Sequence, residues 1–251
     1  MRVIITGAAS GIGEAVVEQL LENAESRLLL VDLNGDGLAR IAAQHGDRVS
    51  TLAADLSAPD CGEVVVATAM RELGGIDGLV SNAGLLPRGS LADATLADFD
   101  LSFALNVRAT WLLAQAAYPH LRANGGSLVA TASMAASDPT PGCSFYAPSK
   151  AALLMLVRQL ANEWGPDSIR CNCVSPGPTL TGMNNDTFAD PERRRAREST
   201  IPLRRMSMPA DIARAIVFPL SDAASQISGV NLPVDGGLTS TLMSAGMVQR
   251  A

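Results

Sequence analysis

Lysine is all but missing from this chain: of its 19 basic residues only Lys150 is not an arginine. A compact ammonium shifts its pKa on burial and aims three donors, which a planar guanidinium does not do, so the one survivor points to a catalytic or cofactor role. Histidine is almost as scarce. His45 and His120 stand beside no Gly-flanked serine or cysteine, which argues against a hydrolytic triad. Basic charge is in deficit, 19 Lys and Arg against 25 Asp and Glu for a net −6, and this sets aside nucleic-acid binding through a basic face. The four cysteines, Cys61, Cys143, Cys171 and Cys173, are too few for a disulfide framework and suit reduced, packed thiols. Cys171 and Cys173 share one strand face, but a lone C-x-C makes a poor zinc site, so no metal is expected. Long apolar runs are missing too. The longest, Ala151 to Val157, is far short of the roughly 20 residues of a membrane span, and Met1 to Gly7 is too short for a signal-peptide core. A cytoplasmic protein without membrane contact is the expectation.

What remains is globular: 251 residues, 47% apolar and 18% charged, enough for one domain over 1–251 with a real core. Short apolar runs read as strands at Val3–Thr6, Leu28–Asp32, Val49–Ala54, Ile76–Ser81, Ser127–Ala132, Ile169–Ser175 and Val230–Val234. Helical spacing occupies Gly11–Asn23, Asp36–Gln44, Pro59–Leu73, Thr95–Arg122, Tyr146–Trp164 and Pro209–Ser221. Pro119 and Pro219 should kink or end their helices. Such alternation predicts an α/β fold, a parallel sheet covered by helices on both faces. Pro176 to Pro202 breaks the alternation and is long enough to hold a substrate lid, about 178–202.

The first strand runs into Thr6-Gly7-Ala8-Ala9-Ser10-Gly11-Ile12-Gly13, and a helix follows at once. Glycines there let the backbone turn and approach a pyrophosphate, which the helix N-terminus stabilises. Asp32 ends the second strand, where a carboxylate accepts from ribose hydroxyls and repels a 2′-phosphate, so NAD is expected over NADP. Farther on, Tyr146 and Lys150 stand four apart and share a helix face. A neighbouring ammonium favours phenolate, and a tyrosine tuned in that way exchanges a proton with an alcohol or carbonyl.

The combined pattern resembles the short-chain dehydrogenase/reductase family in its NAD(P)-dependent form of about 250 residues, over essentially the whole chain. The resemblance rests on the glycine motif, Asp55 after the third strand, Asn82-Ala83-Gly84 after the fourth, Asn106, and Ser133 thirteen residues before Tyr146. It continues through the Tyr146–Lys150 pair, Pro176-Gly177 and Asp235-Gly236-Gly237. It implies a single-domain Rossmann fold with a doubly wound, seven-stranded parallel sheet. It also implies NAD-dependent interconversion of a secondary alcohol and a ketone. By the same resemblance Tyr146 is the general acid/base, Lys150 holds the nicotinamide ribose hydroxyls, Ser133 bonds the substrate oxygen, and Asn106 keeps a water that completes a proton relay. Gly7, Ser10, Gly11, Ile12 and Gly13 would hold pyrophosphate, Asp55 and Leu56 the adenine, and Asn82, Ala83 and Gly84 the adenosine ribose. Pro176 and Gly177 would also bind the cofactor, and the Thr179 backbone and the Thr181 hydroxyl would hold the carboxamide.

Family members often carry Gly-x-Pro before the last helix, where this chain reads Arg205-Met206-Ser207-Met208-Pro209. Family enzymes that reduce enoyl groups usually space Tyr and Lys seven apart, which disfavours that reaction. A non-catalytic redox sensor is the competing class, and a mere binder has no need of Tyr146. The run Arg193–Arg197 in the lid reads as a solvated helix face flanked by Glu192 and Glu198, or as a contact for an acidic substrate or phosphates. The pocket walls, Leu85–Arg88, Met134–Ser144 and Gly182–Phe188, suit a hydrophobic or alicyclic alcohol. The helix after Ala151 is apolar nearly all round and so is expected to be buried on more than one side. By the same resemblance it and the helix bearing Trp111 pair with their copies, which implies a homodimer or homotetramer.

Overall fold

The computed structural model describes residues 1–182 and 189–241. Its strands are β1 (Arg2–Thr6), β2 (Arg27–Asp32), β3 (Val49–Ala53), β4 (Gly78–Ser81), β5 (Ser127–Thr131), β6 (Arg170–Pro176) and β7 (Asn231–Val234). Its longer helices are α1 (Gly11–Leu21), α2 (Gly35–His45), α3 (Cys61–Leu73), α4 (Leu96–Phe103), α5 (Ala109–Asn124), α6 (Tyr146–Trp164), α7 (Pro191–Thr200) and α8 (Pro209–Leu220). The strands form one seven-stranded sheet in the order β3-β2-β1-β4-β5-β6-β7, every pair parallel. This is the doubly wound Rossmann sheet expected from the sequence. Chain order reverses between β1 and β4, which opens a crevice at the carboxyl ends of the strands.

Strand periodicity divides the core. Ile4, Leu29 and Leu128 face α3, α5 and α6, where Val65, Leu113 and Leu153 meet them. Their neighbours Val3, Ile5, Leu28, Leu30 and Val129 face α1, α2 and α8 through Val17, Ile41 and Ile216. Burial on both faces explains why these strands read as continuous apolar runs rather than alternating ones.

Three local expectations differ. The helix expected from Thr95 to Arg122 is divided: α4 starts on a Thr95–Asp98 capping box, and Ala104–Arg108 then widens into a π-helical turn before α5. Hydrophobic spacing cannot reveal one inserted residue of this kind. Pro119 lies inside α5 without ending it; the helix runs to Asn124 and stops at Gly125, φ 64°. Tertiary burial of Ala117 and Leu121 on either side outweighs the lost backbone bond. Pro219 is likewise interior to α8, one residue before its end. The carbonyls freed at that end are taken up by the Arg170 guanidinium, which donates to Pro219, Leu220, Ser221 and Ala224.

The third difference is α7, in a stretch expected to be irregular. Its start carries the usual signals: the Asp190 carboxylate accepts from Glu192 N at 2.9 Å, and Pro191 occupies the first turn. The expected pocket wall at Met183–Phe188 lies outside the described residues. Among those described, no helix is long and apolar enough to cross a membrane.

Candidate active site

The glycine loop follows β1 at the crevice. Gly7 (φ 64°) and Gly11 (φ 60°) take left-handed conformations that side chains resist. A Cβ on Gly13 would lie 2.0 Å from the Gly7 carbonyl oxygen, so this glycine lets α1 pack against its own loop. Asp32 ties the loop down: one carboxylate oxygen accepts from Ala9 N at 3.0 Å, the other from Asn34 N at 3.0 Å. Ser10 precedes α1 without a side-chain cap, which leaves its hydroxyl and the first-turn N–H groups facing the crevice.

Asn82 closes the bottom of the cleft. Its Nδ2 donates to the Thr6 and Gly7 carbonyls, its Oδ1 accepts from the Thr131 hydroxyl at 3.0 Å, and Thr6 Oγ1 accepts from both Asn82 N and Ala83 N. One amide thus joins the ends of β1, β4 and β5. Asp55 accepts from the Ser57 N–H and hydroxyl, and these bonds hold its carboxyl below the usual range.

The chemical end is built on β5 and α6. Tyr146 opens α6 after a tight turn in which Ser144 takes φ 42° and Tyr146 N donates to Cys143 O at 2.9 Å. One helical turn later Lys150 is buried, with its Nζ donating to Thr131 O at 2.8 Å and lying 5.8 Å from the Tyr146 ring centre. Burial pushes this ammonium down from 10.5 to about 8. Burial also raises the Tyr146 phenol, against a hydrogen bond from Ser133 that lowers it. The expectation that Lys150, with a cationic nicotinamide ring, acidifies Tyr146 is not met by the protein's own groups, because desolvation is the largest influence on this phenol and raises it. Ser133 is buried at the end of β5 and accepts from Ala135 N at 3.1 Å.

Asn106 sits in the π-helical turn. Its Oδ1 accepts from Leu85 N at 2.9 Å, and its Nδ2 donates to Leu85 O and to Ser149 Oγ. The widened turn delivers this amide to the base of α6, where it braces the helix that carries Tyr146 and Lys150. The 205–209 segment, which lacks the family's usual glycine, pairs instead with the loop after β6: Leu180 N donates to Ser207 O and Ser207 N to Pro178 O, both at 2.9 Å. Arg205 and Arg214 hold Asp211 at the head of α8, and its carboxyl is pulled down to about 2.

A cavity of about 620 Å³ joins the two ends. Every catalytic and cofactor-binding residue named from the sequence lines it except Gly13 and Asn106, whereas of the expected pocket walls only Leu86, Arg88, Met134, Ala135, Thr140, Cys143 and Gly182 do so among the described residues. Sequence reasoning missed Leu33 and Leu105 on that wall, and it left open which arginine of the lid run reaches the cavity. Position alone was the available signal, since Leu33 directly follows the strand-end acid.

A nucleotide fits what is present. A Cβ on Gly84 would stand 2.9 Å from Asn106 Oδ1 and 3.3 Å from Lys150 Nζ, and one on Gly7 would stand 2.9 Å from Ala83 Cα. The glycines thus keep bare backbone along a cleft that ends in first-turn N–H groups, the donors an anionic pyrophosphate requires.

A family model described as enoyl-(acyl carrier protein) reductase matches residues 7–239. The chain belongs to the short-chain dehydrogenase/reductase family. Among curated relatives, an L-rhamnose 1-dehydrogenase (NAD(P)(+)) of Azotobacter vinelandii is 34% identical, covering 94% of this chain and 95% of its own. A D-threitol dehydrogenase of Mycolicibacterium smegmatis is 36% identical, covering 94% and 92%. Among solved structures, a 3-ketoacyl-(acyl-carrier-protein) reductase from Brucella melitensis complexed with NADH superposes with a TM-score of 0.86 at 31% identity, covering 94% of this chain and 97% of that one. This member of the family is an oxidoreductase acting on CH–OH groups and their carbonyl counterparts, with a nicotinamide dinucleotide as its redox partner.

Proposed function

We propose that the enzyme interconverts a secondary alcohol and its ketone with NAD preferred over NADP, using Tyr146 as general acid/base. The observation that carries this reading is the meeting of Tyr146, Ser133 and Lys150 on one wall of the cavity whose other end is the glycine loop. Bound at that loop, the dinucleotide would supply the hydride acceptor or donor.

The chain's own groups do the rest. Ser133 donates to the substrate oxygen and fixes it beside the phenol. Tyr146 gives its proton to a ketone oxygen, or takes one from the carbinol, at Oη. Lys150 holds the ribose hydroxyls from the base of α6, while Asn106 braces that helix through Ser149. Thr179 and Thr181 orient the carboxamide, and the wall of half-buried Leu105 and Met134 with buried Cys143 suits an apolar or alicyclic carbinol. A redox sensor without turnover finds no support in these groups, since binding alone does not use Tyr146 or Ser133.

The preference for NAD rests on Asp32, whose carboxylate lines the cavity and is followed by Leu33 rather than by a cation. Asp32→Ser is expected to cut the NAD-to-NADP ratio of kcat/KM by about 10- to 100-fold, the effect of removing one carboxylate from a partly buried site facing phosphate. The measurement follows reduced-nicotinamide absorbance with each dinucleotide over a panel of cyclohexanol, 1-phenylethanol, threitol and L-rhamnose. No turnover of any carbinol would reject the reaction, and an unchanged ratio would reject the role of Asp32.

We also propose assembly through α5 and α6. Trp111 (44% exposed) and Met155 (61%) show apolar surface where Phe103, Val107 and Leu156 line a shallow groove. Sedimentation at micromolar concentration should show a dimer or tetramer, whereas only a 26.0 kDa species would refute it.

A further inference from the structure

The cavity is electrically divided. Asp32 and Asp55 line it on the β3–β2 side of the sheet, whereas Arg88, Lys150 and Arg197 line it on the side served by β5, β6 and α7. Lys150 is committed to Thr131 at the base of the wall. Arg88 adjoins the bridge between Gly89 and Cys143, and Arg197 reaches the cavity from α7.

The four arginines of the 193–197 run are not equivalent. Arg193 lies 3.6 Å from Asp190, and Arg194 pairs with Glu198 at 3.0 Å. Arg195 faces solvent, and Arg197 alone of the run is partly covered and lines the cavity. Among the described residues no carboxylate forms an ion pair with Arg197, although Glu198 is its neighbour in sequence. A guanidinium on an apolar wall has lost part of its hydration, and a ligand oxyanion restores that loss with two parallel N–H···O bonds. The chain's net charge of −6 does not oppose this, because acids beyond about 8 Å are screened at physiological salt.

We propose that the substrate of the site described above is an anionic carbinol: an apolar body with the reacting CH–OH at Tyr146 and a carboxylate or sulfonate held by Arg197. This rests on the alcohol–ketone reading of the site. It divides the cavity between nucleotide at the acidic end and an anion at the basic one, and makes Arg197 the residue that selects substrate.

The test uses a matched pair, 1-phenylethanol and 4-(1-hydroxyethyl)benzoate, with the full-length enzyme and its Arg197→Gln and Arg197→Lys variants. The wild type should prefer the carboxylate in kcat/KM. Arg197→Gln should lower that preference about 10- to 100-fold while changing 1-phenylethanol less than about 2-fold, and Arg197→Lys should retain part of it. Calorimetric titration of 4-acetylbenzoate and acetophenone with NAD⁺ present, a pairing with no hydride to transfer, gives a readout independent of turnover. Arg197-dependent binding of 4-acetylbenzoate without oxidation of either alcohol would sustain the oxyanion site at Arg197 and defeat the alcohol–ketone reading. Turnover of both alcohols with no carboxylate preference, or no binding of 4-acetylbenzoate, would overturn the inference alone. A weaker NADH affinity in Arg197→Gln with the carboxylate preference unchanged would assign the guanidinium to a nucleotide phosphate and overturn it as well.

Discussion

Replacing Tyr146 with Phe is expected to lower kcat at least about 10³-fold while leaving the dissociation constant of NADH within about 2-fold. The ring and its packing survive the change, so what is lost is one hydroxyl at the reacting oxygen; general acid/base groups contribute 10²- to 10⁴-fold. Burial raises the phenol above its ordinary 10.0, so at neutral pH Tyr146 holds its proton and is ready to donate it to a ketone. Oxidation of the alcohol needs the minority phenolate and therefore speeds up as pH rises, whereas ketone reduction slows once the phenol ionises. Before substrate takes the serine's one proton, the Ser133 hydroxyl donates to Tyr146 and lowers the phenol against that burial. Initial rates in both directions across pH, with stopped-flow binding of NADH as control, measure the effect. Turnover by the Phe variant within tenfold of wild type, or an unaltered pH slope, would take the proton away from Tyr146.

Much of this site was legible because its residues are constrained by backbone chemistry. Glycines at 7, 11 and 13 are needed where a Cβ would strike the loop or adopt φ near 60°, and such requirements leave a pattern in the sequence. Lys150 was visible as the one ammonium among guanidinia. The sheet was visible because two-sided burial writes uninterrupted apolar runs. Other features were hidden for equally physical reasons. The π-helical turn at Asn106 adds one residue to a helical period without changing composition, and it is this addition that turns the amide towards Leu85 and Ser149. Helix α7 lacks an apolar face: none of its residues is fully buried, and it stands on its Asp190 cap and the Arg193–Asp190 and Arg194–Glu198 pairs. The upward shift of Tyr146 in the protein alone was hidden because sequence does not supply the depth of burial, the largest influence on this phenol.

Depth also sets a conflict between folding and catalysis at Lys150. The unfolded chain keeps this proton up to about 10.5 and the folded chain only up to about 8. Between those values the unfolded state binds more protons, so stability rises with pH; below about 8 both states are charged and the whole penalty, about 3 kcal/mol, persists. Lys150→Met keeps the length of the side chain and removes the charge. It forfeits the bond to Thr131 O, about 1 kcal/mol, and so is expected to stabilise the fold at pH 7 by about 2 kcal/mol. The same substitution should lower kcat/KM about 10²- to 10³-fold, because two charge-assisted hydrogen bonds to the ribose go with the ammonium. Urea unfolding of both proteins from pH 6 to pH 11 separates the effects. The advantage of the Met variant should shrink from pH 8 upward and reverse above about 10.5, where the wild-type lysine is neutral in either state and retains its partner. A Met variant less stable than wild type at pH 7 would show that burial of this ammonium carries no penalty. A Met variant that is more stable and still active would instead remove Lys150 from the reaction.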